Sequence, residues 1–300
     1  MSTIKNIFKL VPCVIIVNLF AAPVETQTET DARSRAIGNA NTAVHLGGTS
    51  VMGNPSQMAI ADSKSVTVTV FPRGLGISEL NILNGGLSFL LPVRQIGGTI
   101  GIGAIGSLIS SDGTAIYKDA QLALGIGKSL GAPFQIGAVG LFQVRSVGDD
   151  TTSVESDAGS IGGNLNVGAS YKINHDLSVG LVGMNLIRSD YFPEGAVSES
   201  APMALKAGVG FVKPQILVAL DGEYLWDSRT INVKMGSELY LMMRKLRIGI
   251  GLELHGLSQG LKPSLGFGYR VGPLIIDYAF SYSFNLGGVG EHIASISFMF

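Results

Sequence analysis

Charged side chains in the C-terminal part of the chain stand at every second position along apolar stretches: Lys206, Asp221, Glu223, Lys234, Glu238, Arg247, Glu253, Lys262, Arg270, Asp277 and Glu291. In an extended chain, residues two apart point to the same side. These charges therefore share one face, opposite an apolar one. Acids and bases fall on successive segments, so cross-strand pairs are expected. Two chemistries are open to such a face. It could form a polar constriction that selects solutes or grips another part of the chain, or its charges could neutralise one another and keep a wetted interior soluble.

Other spacings that could carry chemistry fail on context. Gly101-Ile102-Gly103-Ala104-Ile105-Gly106 fits the dinucleotide pattern, yet it runs into the turn Ser110-Ser111-Asp112-Gly113 where that pattern requires a helix. Gly127-Lys128-Ser129 matches the end of a phosphate loop, but Leu122 stands where the earlier glycine is needed. His45, His175, His255 and His292 lie far apart without metal-ligand spacing, and the one cysteine, Cys13, lies in the N-terminal apolar segment. Asp149, Asp150, Glu155 and Asp157 could hold calcium or form a solvated acidic loop. No serine sits in a G-x-S-x-G elbow. The expectation is a protein without catalytic residues, cofactor or metal.

The elements that position the charged face follow from a period of two. Leu261, Pro263, Leu265, Phe267, Tyr269 and Val271 oppose Lys262, Ser264, Gly266, Gly268 and Arg270. Leu274, Ile276, Tyr278, Phe280, Tyr282 and Phe284 oppose Ile275, Asp277, Ala279, Ser281 and Ser283. Ile161, Leu165, Val167, Ala169, Tyr171 and Ile173 oppose Gly162, Asn164, Asn166, Gly168, Ser170 and Lys172. A helix would mix these faces. Strands beginning near residues 65, 84, 98, 116, 133, 159, 176, 202, 215, 230, 244, 261, 273 and 290 make an antiparallel all-β transmembrane barrel of about 14 strands. Tight connections, such as Asn174 to Asp176 and Gly272 to Pro273, alternate with longer polar ones, such as Gly148 to Ala158 and Ser189 to Ala201. Both chain ends then lie on the periplasmic side.

Composition agrees. Among 300 residues, 14% are charged, 46% are hydrophobic and 41 are glycine, with a net charge of −1. Disorder would require the reverse balance, and nucleic-acid binding would require a basic face. Residues 1–22 read as a signal peptide, with Lys5 and Lys9, an apolar Leu10 to Phe20, and a cut after Ala21. After residue 22 no run reaches the 18 or more apolar residues of a membrane helix. Residues 63–300 form the barrel and residues 23–62 a periplasmic or lumenal hatch, because residues 31–62 do not alternate. Asn54 is a helix cap with Pro55 at the first helical position. Inward glycines at 208, 210, 236, 249, 251, 266 and 268 either admit this segment closely or ease the barrel's curvature. Tyr224, Trp226, Tyr282 and Phe284 are expected at the outer rim, with Phe267, Tyr269 and Phe300 at the inner. The strong alternation implies a polar lumen, which counts against simple fatty-acid transport.

Several local patterns, in order, resemble the PorV/PorQ-type outer-membrane proteins, relatives of the FadL-type barrels. They are Ala32-Arg33-Ser34-Arg35-Ala36-Ile37-Gly38, Asn54-Pro55-Ser56, Asn185-Leu186, Pro202 before Leu205-Lys206-Ala207-Gly208, Asp221-Gly222-Glu223-Tyr224, Gly236-Ser237-Glu238-Leu239-Tyr240, Leu246-Arg247-Ile248-Gly249 and Ile276-Asp277-Tyr278-Ala279. Ser56 stands where the family has alanine, and the loops are short for its large secretion-associated members. The resemblance implies location in the bacterial outer membrane and, for the PorV relatives, protein secretion or surface attachment, with secreted proteins or secretion-system subunits as partners. For FadL relatives it implies a hatch, to which Arg33, Gly38, Asn54 and Pro55 belong, and a channel for small hydrophobic molecules. A C-terminal strand ending at Phe300 resembles the signal read by the outer-membrane assembly machinery. Lipid is the remaining partner, and nucleic acid is not one.

Overall fold

The computed structural model describes residues 31–73, 80–111, 114–131, 133–147, 158–191, 202–256, 260–284 and 289–300. The signal peptide, the calcium-or-acidic loop and most of the longer connections named above lie outside these residues. The strands are β1 (Ser65–Arg73), β2 (Leu80–Val93), β3 (Gly98–Ser111), β4 (Thr114–Gly131), β5 (Phe134–Val147), β6 (Ala158–Lys172) and β7 (Leu177–Tyr191). They continue as β8 (Ala204–Val212), β9 (Ile216–Leu225), β10 (Thr230–Leu241), β11 (Leu246–Leu254), β12 (Leu261–Val271), β13 (Leu274–Ser283) and β14 (Val289–Met299). Each pairs antiparallel with its sequence neighbours, and β1 pairs with β14 from Ser65↔Met299 to Val70↔Ala294. The sheet is thereby a closed barrel of 14 strands. Closure satisfies every ladder without an open edge, which is what lipid demands.

The alternation sets the two faces. Leu122, Leu124 and Ile126 of β4, and Leu265 and Phe267 of β12, are exposed on the outside. Ala123, Ser264 and Lys262 between them are buried inside. A contiguous apolar exterior of this extent has no place in water. The short connections, the entry to β1 and the C-terminal Phe300 share one rim, here called the terminal rim, with Phe300 exposed there. Trp226 and Phe284 are exposed at the opposite rim, and Tyr269 near the terminal one.

Two strands depart from plain alternation for local reasons. β2 begins at Leu80 rather than at residue 84, because Asn84-Gly85-Gly86 interrupts its apolar pattern while leaving its pairing with β1 intact. β7 breaks its register with β6 between Leu165 and Val167. There Asn185 takes a left-handed backbone, φ 54°. Its N–H donates to Asn166 Oδ1 (2.8 Å) and its side-chain amide donates to Pro202 O (2.8 Å). The amide side chains supply bonds that the interrupted ladder gives up.

Residues 31–61 are largely buried and touch the inner face of the strands right around the barrel. They comprise helix α1 (Ala32–Ala36), a 3-10 helix at Gly48–Val51 and another at Pro55–Ile60. Asp31 caps α1 by accepting from Ser34 N–H (2.8 Å). The helix stops where Gly38 and Asn39 turn left-handed (φ 62° and 54°) and return their N–H groups to Arg35 O and Ser34 O. Asn54 and Pro55 take the cap and first-turn roles expected of them, the Asn54 side chain accepting from Ser56 N–H (3.0 Å).

Candidate functional site

The site is the inner wall with the segment lodged in it. Arg33 projects from α1 to β10, where its guanidinium grips Glu238 with two bonds of 3.0 and 2.8 Å and donates to Tyr240 Oη at 3.1 Å. Arg35, with no exposed surface, reaches β11 and donates to Glu253 Oε1 (2.9 Å). It also lies 3.5 Å from Glu291 of β14. Asn39 donates to the same Glu253 oxygen (3.1 Å), and Ala32 N–H donates to Ser295 Oγ (2.8 Å). Further along, Thr42 N–H donates to Asp221 Oδ2 (2.8 Å), and Asn54 Nδ2 donates to Thr42 O (2.6 Å). The fork geometry at Glu238 is one that only arginine provides.

The remaining wall charges pair among themselves. Glu223 accepts both Lys206 (3.2 Å) and Lys234 (3.0 Å), with Asn232 donating at 3.2 Å. Lys262 pairs with Glu291 at 2.9 Å. Arg247 of β11 reaches Asp277 of β13 at 2.6 Å, across the intervening strand. Gly268 lies between them in register, and a Cβ there would overlap both side chains. Gly268 therefore serves this ion pair and does not face the segment, unlike the other inward glycines of β8 to β12.

Lys206, Asp221, Glu223, Lys234, Glu238, Glu253, Lys262 and Asp277 are buried inside the barrel, with Arg247 nearly so. Arg270 is not among them. It is exposed at the terminal rim and donates to Gly272 O (3.1 Å), because β12 has left the lumen by that point. Arg33, Gly38, Asn54 and Pro55 all meet the wall or hold the segment's own turns. A Cβ on Gly38 would stand 2.7 Å from Leu252 N and 2.9 Å from Met235 O. Arg35, which the sequence offers only within the motif Ala32 to Gly38, belongs beside Arg33. With Arg270 outside the lumen, the inward acids Asp221, Glu223, Glu238, Glu253, Asp277 and Glu291 of β9 to β14 outnumber the inward bases Lys206, Lys234, Arg247 and Lys262 by two. Arg33 and Arg35 supply those two charges.

On the other side of the barrel the wall carries an apolar patch, set between Thr99 and Gln135 toward one rim and Asp119 and Gln143 toward the other, which corrects the expectation of a polar lumen throughout. Leu90, Ala123, Val139 and Leu141 face inward and cluster with Val51, Met52 and Met58 of the segment. Gly127 and Gly137 let the segment's backbone approach. A Cβ on Gly127 would lie 2.7 Å from Ala59 N, and one on Gly137 would overlap Pro55. Gly101 and Gly103, from the failed dinucleotide pattern, make room for Met58, Val51 and Met52. Ser56, in the place of an alanine, donates to Asn54 Oδ1 (2.7 Å) and lies 3.0 Å from Ser170 Oγ. Val182, Met184, Ala204 and Leu225 form a second inward apolar cluster on β7 to β9.

Burial also perturbs titration within the segment. It pushes the Asp31 carboxyl up to about 7 against the opposing pull of Ser34 N–H. It lowers His45 to about 4, with Arg33 adding to the effect. At Arg33 burial acts downward, but the Glu238 carboxylate outweighs it and holds the guanidinium charged.

No protein-family profile and no curated protein matches the chain. Solved structures do. The CymD monoaromatic hydrocarbon channel is 13% identical with a TM-score of 0.65, over 90% of this chain and 97% of that one. A Pseudomonas aeruginosa FadL homologue is 12% identical with a TM-score of 0.64, over 90% and 98%. The Pseudomonas putida toluene transporter TodX is 11% identical with a TM-score of 0.65, over 90% and 97%. The fold is that of the FadL-like outer-membrane barrels. Together with the apolar exterior and the closed even-stranded sheet, it places the chain in the bacterial outer membrane. These likenesses bear on the FadL part of the expectation and not on the PorV/PorQ part.

Proposed function

We propose that the protein is an outer-membrane channel for small hydrophobic molecules, held closed by residues 31–61. The observation that carries this reading is the division of the inner wall. An apolar patch on β2 to β5, formed by Leu90, Ala123, Val139 and Leu141, lies beside a segment anchored by ion pairs to the opposite flank. Shifting the 3-10 helices would uncover Leu90, Val139 and Leu141 as a greasy track, while Arg33 and Arg35 keep the segment tethered. The apolar cluster on β7 to β9 adds inward surface of the same character, and the likeness to hydrocarbon channels is consistent with the reading. Uptake of a labelled monoaromatic hydrocarbon into liposomes carrying the purified protein tests it. Uptake above protein-free liposomes is expected; a rate equal to theirs, from protein that still shows heat-modified gel mobility, would refute it.

The ordered motifs shared with PorV/PorQ-type proteins support a second reading, a role in protein secretion or surface attachment. Asn185, for instance, bonds to Pro202 where two of those motifs meet. Co-purification of a secreted protein or secretion subunit from native membranes would favour it over the channel. In either reading the strand ending at Phe300 would be the part met by the assembly machinery.

A further inference from the structure

The terminal rim of the barrel is basic. Every short connection there has at least one exposed Lys or Arg in it or just before it, and so does the entry to β1. Asp62 and Asp176 are the acids among these residues.

The placement of these cations is specific to a bilayer edge. Lys64 Nζ lies 6.0 Å from the centre of the Phe300 ring, and Lys213 Nζ lies 5.3 Å from that of Phe211. Phe300 is exposed on the lipid side, and Phe211 shares its strand face with the exposed Leu205 and Val209. Both ammonium groups thus stand over rings that meet hydrocarbon, with their stems lying along apolar surface and their charges at its border. Lys128 ends the outward row of Leu122, Leu124 and Ile126 in the same way. Arg94 and the pair Arg244 and Lys245 are exposed at further connections of this rim, and Lys172 and Arg270, on the lumen-side rows of their strands, are exposed at the last two.

We propose that this ring binds the phosphate groups of anionic phospholipids around the whole terminal rim. The distribution decides between lipid and a soluble acidic protein. A docked protein would need one local cluster of charge, whereas these cations are spread over the circumference, as an annulus of headgroups is. The inference does not depend on what passes through the lumen.

The test uses the full mature chain reconstituted in mixed phosphatidylglycerol and phosphatidylcholine vesicles. The protein is then extracted in mild detergent, and the retained lipid is counted by mass spectrometry. Phosphatidylglycerol should be enriched, and the enrichment should shrink at high salt. The combined variant Lys64→Gln, Lys128→Gln, Lys213→Gln and Lys245→Gln should lose it, by roughly fivefold for each cation that meets a headgroup. The same four positions changed to Arg should retain it. Heat-modified mobility reports that each variant has folded, and Lys213→Gln alone, at an exposed position, serves if the combined variant does not fold. Equal retention of both lipids would overturn the proposal, as would enrichment that survives the Gln changes. Binding of soluble polyglutamate that those changes abolish, with lipid retention unaltered, would overturn it in favour of a protein partner.

Discussion

The walls formed by β9 to β14 and by β2 to β6 hold opposite ends of one segment by different physics. On the first, α1 is held by Arg33 and Arg35 against Glu238, Glu253 and Glu291, in addition to close packing of Ala36 to Gly38 on Gly236, Gly251 and Gly266. On the second, the 3-10 helix Pro55–Ile60 is held by shape, with Met58 and Val51 packed on Leu90 and Val139 and backbone set against Gly127 and Gly137. Charge gives a specific and strongly anchored contact, since stripping one partner leaves the other buried and uncompensated. Close packing against glycine holds both ends, so the buried ion pairs are what sets the first apart.

The sharpest break of that comparison is at Arg35. Arg35→Ala takes the buried guanidinium from Glu253, leaving it the Asn39 amide and His255 at 3.7 Å, and should destabilise the folded barrel by about 3 kcal/mol, read as a lowered temperature of heat-modified mobility. Adding Glu253→Gln should restore much of the loss, because the unpaired charge goes with it. Gly137→Val attacks the other wall and should cost about 1–3 kcal/mol through overpacking against Pro55. Limited proteolysis should then cut near residues 55–60 while α1 stays protected, and salt should not alter the result. Cleavage at α1 instead would show that the two ends are not held independently. Asn54→Ala removes a cap and the bond to Thr42 O that joins the two halves of the segment, for about 1–2 kcal/mol. It should raise proteolysis on both sides of residue 54.

The smallest expected effect is a pH dependence that largely cancels. Asp31 has its folded value raised from 3.8 to about 7, so the folded state holds the extra proton and stability falls as pH rises between about 4 and 7. His45 is lowered from 6.5 to about 4, so the unfolded chain holds the extra proton and stability rises with pH between about 4 and 6.5. Asp31→Asn should uncover the rise and His45→Gln the fall, in melting temperatures measured from pH 4 to 7. Slopes of the same sign in the two variants would contradict the assignment.

The barrel was legible because lipid and lumen impose opposite demands on successive side chains, so Leu265, Gly266, Phe267 and Gly268 record the wall directly. The start of β2 is blurred where Asn84-Gly85-Gly86 interrupts the alternation, and the break within β7 around Asn185 disturbs its register with β6. The inward charges were legible as a set, but their partners were not. Arg247 meets Asp277 across a strand only because Gly268 lacks a side chain, and no pairwise rule for adjacent strands supplies that. The apolar patch was missed because Leu90 and Val139 lie in strands rich in glycine, where a buried inward leucine and a lipid-facing one look alike.

From the chain alone came the closed antiparallel sheet, its strand number, the face each strand turns to lipid and the cap at Asn54, since all of these follow from contacts between near neighbours or from the solvent on each side. Only the folded structure decided that Arg35 lies against Glu253 and that Met58 fills the space above Gly101. Those contacts join residues of the threaded segment to strands distant in sequence, by 218 positions for Arg35 and Glu253, and parity fixes the direction of a side chain without fixing what a threaded segment places in front of it.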